Sequence, residues 1–92
     1  MKIDLNPCFH QPIRTQIMAS VLRLPDVDFT HLKKLLHLSD GHLSTHLKVL
    51  IKAGYLDATK AFVNHKPRTT YRVTPHGKED FATYLENLRK LF

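Results

Sequence analysis

Apolar residues recur at helical spacing through most of the chain, and the period changes once. Ile13, Ile17, Val21 and Leu24 fall on one side of a period of about 3.6 residues, which predicts a helix opening at Pro12 and stopping at Pro25. Met18 and Leu22 lie off that stripe and give this helix a second apolar side. After an extended link over Asp26 to Phe29, Thr30 reads as an N-cap, and Leu32, Leu35 and Leu36 repeat at helical spacing. His37 and Leu38 make a brief break. Ser39 reads as the next N-cap, and Leu43, Leu47, Leu50 and Ile51 carry one stripe to Gly54, a helix-ending C′ residue.

Beyond Gly54 the pattern becomes strand-like. Tyr55 to Val63 and Thr69 to Val73 read as two strands joined by a turn over Asn64, His65, Lys66 and Pro67. Thr74 and Pro75 then open a last helix, with Phe81, Leu85, Leu88 and Phe92 as its main stripe, widened by Tyr84 and Leu91. The expected fold class is α+β, mainly α: a three-helix core, a two-stranded hairpin and a C-terminal helix over 75–92. Residues 1–11 form an arm with scattered apolar positions, Ile3, Leu5 and Phe9, and the whole of 1–92 is one domain.

Charge narrows the function. The formal net charge is +6 over 92 residues. With no apolar run near the roughly 20 residues that span a bilayer, such a basic domain implies a polyanionic partner, nucleic acid first. MKIDLNPCFHQP lacks the apolar centre of a signal peptide, and Cys8 is the one cysteine, so the expected location is a reducing cytoplasm.

The segment Phe29 to Leu56 places two helices around a break of only a few residues, which forces them to cross steeply and leaves one face of the second projecting. On a wheel of about 100° per residue, Leu43, Leu47 and Leu50 point together. The opposite side collects Gly41, His42, Ser44, Thr45, Lys48, Val49 and Lys52: small, hydrogen-bonding or cationic side chains suited to a major groove. Ser39 stands at the start of that helix. The hairpin tip adds Asn64, His65, Lys66 and Arg68, with Lys60 and Arg72 on its flanks and Asp57 the one carboxylate between Tyr55 and Arg72. A cationic loop beside such a helix can hold phosphates or enter the minor groove.

PIRTQIMASVL, FTHLKKLLHLSDGHLSTHLKVLIKAGYL and KPRTTYRVTPHGK together resemble the winged helix-turn-helix transcription regulators of the MarR-like and ArsR-like groups, over Pro12 to Lys78. The resemblance implies that helix 39–53 reads the major groove, that the hairpin over 60–72 is a wing, and that the molecule is a homodimer on double-stranded DNA. Carried over, the groove-reading positions are Gly41, His42, Ser44, Thr45 and Lys48 and the wing positions are His65, Lys66 and Arg68; Ser39 and Lys52, from the two ends of the same helix, complete the expected DNA-binding set. FTHLKKLL holds no cysteine pair of the metal-sensing kind. The arm is shorter than the helical extensions that help form an effector pocket in larger relatives, so a small-molecule effector is left open.

His42 and His46, at i and i+4, could share an ion, but a third ligand is not evident nearby, so no metal is assigned. No cofactor is implied. The three glycines are isolated and no nucleophile has an activating partner beyond His10 near Cys8, so no catalytic function is expected. The alternative to DNA binding is a winged-helix module that docks proteins; apolar or acidic residues on the outward helix face would favour it, and Val49 is the one large apolar residue there. The expected dimer face is Met18 and Leu22 from the first helix with Phe81, Leu85, Leu88 and Phe92 from the last.

Overall fold

The structure, a computed structural model, describes residues 2–92; Met1, the first residue of the expected arm, lies outside them. The elements run α1 (Pro12–Arg23), β1 (Val27–Asp28), α2 (Phe29–Leu36), α3 (Asp40–Lys52), β2 (Leu56–Val63), β3 (Lys66–Val73) and α4 (Pro75–Arg89). Each helix opens on a side chain that accepts a backbone N–H otherwise left without a partner. Gln11 accepts from Arg14, Asp28 from His31, Ser39 from His42 and Thr74 from Gly77. The cap of α2 is thus Asp28 rather than Thr30. Asp28 has the extended backbone that a cap requires, whereas Thr30 is already inside the helix.

The link over Asp26 to Phe29 also does more than connect. Val27 and Asp28 pair antiparallel with Tyr71 and Thr70, making a three-stranded sheet in the order β1-β3-β2. The expected four-residue turn of the hairpin narrows to two residues, because Lys66 and Pro67 already pair with Val63 and Phe62. Asn64 and His65 both have positive φ, 52° and 65°, the geometry of a type I′ turn. The sheet's inward face buries Leu56, Tyr71 and Val27, while the outer half of the hairpin is exposed on both faces. It projects: the extents are 54 × 25 × 21 Å, and the radius of gyration is 13.9 Å. A compact chain of this length has about 12 Å.

α2 and α3 both end in a Schellman motif. At the end of α2, His37 has φ 54°, and Leu38 N–H reaches back to Lys33 O at 3.1 Å. At the end of α3, Gly54 has φ 83°, and Tyr55 N–H reaches Leu50 O at 3.0 Å. The first motif turns the chain sharply from α2 into α3, and the second sends it from α3 into β2.

The arm is part of the core. Phe9 is fully buried, its ring 4.4 Å from Tyr55, 5.1 Å edge-on from Phe81 and 5.8 Å from Tyr84, measured between centroids. A turn built on Asn6 holds it there: Asn6 O accepts from Phe9 N and His10 N, and Asn6 Oδ1 from Cys8 N. Because α4 must cover this ring, its inward line is Gly77, Phe81, Tyr84 and half-buried Leu88, not the expected stripe through Leu85 and Phe92. The helix ends at Arg89, so Phe92 lies beyond it, past a turn over Lys90 and Leu91.

The expected dimer face is corrected accordingly. Met18 and Phe81 are buried inside their own domain. Met18 joins the core because α1 is packed on two sides and its second apolar side is filled from within. Leu22, Leu85 and Phe92 are exposed, as is Leu91.

Candidate nucleic-acid interface

α3 presents the polar face that its wheel predicts. Leu43, Leu47 and Leu50 are buried, and Gly41, His42, Thr45, Lys48 and Lys52 are exposed. Ser44 is half-buried, and Ile51, expected in the apolar stripe, is 38% exposed. Ser39 is exposed, and its Oγ accepts from His42 N at 3.1 Å. The Thr45 hydroxyl donates to Gly41 O at 2.8 Å, which uses its proton and leaves its lone pairs and methyl group for a partner. A Cβ added at Gly41 would meet nothing within 4 Å, so this glycine keeps the start of the face low without any packing need. Asp40, in the first turn, pairs with Lys33 of α2 at 2.8 Å across the turn.

His46 is not a free ligand. Burial first, then the positive charges of Arg14 and His42, hold its imidazole below the ordinary histidine range. Neutral at physiological pH, His46 Nδ1 accepts from Arg14 Nη1 at 3.1 Å, while Arg14 Nε donates to Cys8 O at 2.6 Å. One arginine therefore ties the arm's turn to the recognition-type helix. No sequence period marks Arg14 for this role, which depends on α1 and α3 lying side by side. The His42 and His46 rings lie 6.1 Å apart, and among the described residues no group of three or more His, Cys, Asp or Glu side chains gathers as for a metal ion. Burial raises the Cys8 thiol, the reverse of what a reactive cysteine needs.

The hairpin places His65 and Lys66 in the open at its tip. Arg68 is exposed but engaged: its Nε donates to Asp28 Oδ2 at 3.0 Å. Arg72 makes two bonds to Asp26, at 2.6 and 2.7 Å. Asp28 thus caps α2 with one oxygen and holds Arg68 with the other, and the His31 N–H, then Arg68, keeps its carboxyl below the usual range. These pairs escaped the sequence reading because they join strands that pair only in the folded sheet. Lys60 and Lys66 take part in no ion pair among the described residues, and no carboxylate falls between Asp57 and Glu79. The sequence reading also passed over Phe62, which is 79% exposed. Alternation from Leu56 through Ala58 and Lys60 puts it on the inward face of the sheet but beyond the reach of the core.

A helix with an open polar face, set after a tight turn and followed by a projecting cationic hairpin, is the geometry that docks in DNA grooves. The winged helix DNA-binding domain family matches this chain over residues 13–92. The chain belongs to that family. An uncharacterized protein of Methanocaldococcus jannaschii is 30% identical over 83 residues, covering 90% of each chain. A transcriptional regulator homologue from Pyrococcus horikoshii OT3 superposes with a TM-score of 0.84 at 28% identity, over 91% of this chain and 83% of that one. MarR superposes with a TM-score of 0.79 at 18% identity, over 90% of this chain but 60% of its own, and shares the winged-helix fold. A winged-helix domain binds DNA rather than transforming a substrate. No helix among the described residues is long and apolar enough to cross a membrane.

Proposed function

We propose that this winged-helix protein is a sequence-specific transcription regulator of double-stranded DNA, acting in the cytoplasm as a homodimer. α3 enters the major groove, where Gly41, His42, Thr45 and Lys48 meet base edges and Ser39, Ser44 and Lys52 support the docking. The wing follows the backbone, with His65 and Lys66 on phosphate or in the minor groove. Arg68 joins them by exchanging Asp28 for phosphate. The observation that carries this reading is the conjunction of an open, small-to-cationic α3 face with a projecting hairpin that holds no carboxylate between Asp57 and Glu79.

The dimer is proposed to use the arm and α4, where half-buried Ile3 and exposed Leu85, Leu91 and Phe92 remain after the core is filled, with Leu22 as an outlying contact. Two α3 helices related by a two-fold axis would meet successive major grooves about 34 Å apart, so the operator is an imperfect palindrome.

The test begins with a gel shift of the full chain on random duplex DNA at low salt, followed by selection of bound fragments. Thr45→Ala should relax sequence preference, by about 1–3 kcal/mol at the base it contacts. Lys66→Ala should weaken all sequences alike and lower the salt slope by about 1. A shift in preferred sequence from Lys66→Ala with none from Thr45→Ala would reverse the roles assigned to helix and wing.

A further inference from the structure

The wing ends in an aromatic side chain with nothing to pack on. Phe62 is 79% exposed and Val63 44% exposed, at the outermost paired positions of the hairpin. Phe62 stands opposite Pro67, whose ring stiffens the partner strand, and the turn beyond is only Asn64 and His65 in the type I′ conformation. The tip is therefore narrow, firm and apolar on one face.

Its surroundings decide what it meets. Lys60 lies on the same face of the sheet, one alternation further in, and Lys66 pairs across from Val63. Both cations are unpaired among the described residues. A second copy of this tip would bring like charges together. A polyanion would satisfy both lysines and still leave the ring to be buried. The minor groove is only about 6 Å wide and admits a tip, not a whole hairpin. Its floor offers base steps that an apolar side chain can part.

We propose that Phe62 is a wedge: the wing tip enters the minor groove, Lys60 and Lys66 bind the flanking phosphates, and the ring inserts at a flexible pyrimidine–purine step and bends the duplex. The proposal rests on the DNA-binding reading and adds a deformation that α3 alone does not require. It assigns sequence preference at a step read by deformability rather than by hydrogen bonds.

The experiment uses the full chain and a duplex recovered by selection, with 2-aminopurine placed at the steps beneath the wing and a fluorophore pair on the ends. Wild type should brighten the 2-aminopurine at one step and raise energy transfer between the ends, as a bend of about 20–90° would. Phe62→Ala should lose both signals while its affinity falls by roughly ten-fold, the scale of one lost stacking contact. Phe62→Leu should restore both in part. Phe62 is exposed, so circular dichroism of Phe62→Ala should match wild type. Binding by wild type with neither signal, or Phe62→Ala with both intact, would overturn the wedge and leave the DNA-binding reading standing. A change of oligomeric state in Phe62→Ala would reassign the ring to a contact between copies and overturn the wedge as well. No binding to any duplex at low salt would sink both readings together.

Discussion

Two glycines make opposite demands on their surroundings. A Cβ on Gly77 would lie 2.3 Å from Tyr55 O, a backbone atom fixed by the turn into β2. Gly77→Ala must therefore push α4 away from the core and should cost about 1–3 kcal/mol, read as a lower denaturation midpoint. Gly41 faces open space at the start of α3. Gly41→Ala should leave stability unchanged or raise it by up to about 1 kcal/mol, yet weaken DNA binding by thickening the docking face. Equal binding by Gly41→Ala would show that DNA does not approach that point closely. Phe9 tests a different residue-scale claim. Removing its ring should cost about 3–5 kcal/mol, much of the stability of a domain this small, and chemical denaturation would measure it. Its role was hidden in the sequence because a lone apolar residue in an irregular segment has no period to announce it. Leu43, Leu47 and Leu50 were legible for the opposite reason: their spacing alone orients them.

At the level of elements, the helices, their order and two of the four N-cap residues, Ser39 and Thr74, were readable, because capping chemistry and apolar stripes are local. The other two are Asp28, where Thr30 was expected, and Gln11, which stands just before Pro12 at the first helical position. What local chemistry could not supply was pairing at a distance. Val27 and Asp28 look like a link until Tyr71 and Thr70 come alongside, and Arg68 and Arg72 look like free cations until that strand delivers Asp28 and Asp26. The two Schellman motifs give a direct comparison of cost. Gly54 takes its positive φ freely, whereas His37 holds φ 54° against its own Cβ. His37→Gly should stabilise the domain by about 0.5–1 kcal/mol, and Gly54→Ala should destabilise it by a similar amount; paired thermal melts would show the opposite signs. If His37→Gly lowered the melting temperature, the histidine side chain would be contributing more than its backbone costs.

For the molecule as a whole, Leu85, Leu91 and Phe92 leave apolar surface on the outer side of α4 and just beyond its end rather than on the buried stripe first expected there. In the proposed dimer, Leu85, 45% exposed, is the position where a charge tests self-association without entering the core. Leu85→Glu should convert a dimer to a folded monomer at micromolar concentration, whereas a charge at buried Phe81 would unfold the chain. Sedimentation equilibrium checks the mass, and a wild type already monomeric there would remove the reason to expect a palindromic operator. The choice of that method follows from the projecting wing. At 54 Å long and about half as wide, a single chain tumbles and drags like a larger sphere. On a sizing column it would elute early and pass for an oligomer. A frictional ratio well above that of a sphere, lowered when the outer hairpin is trimmed, would be the hydrodynamic signature of a lone, lopsided particle.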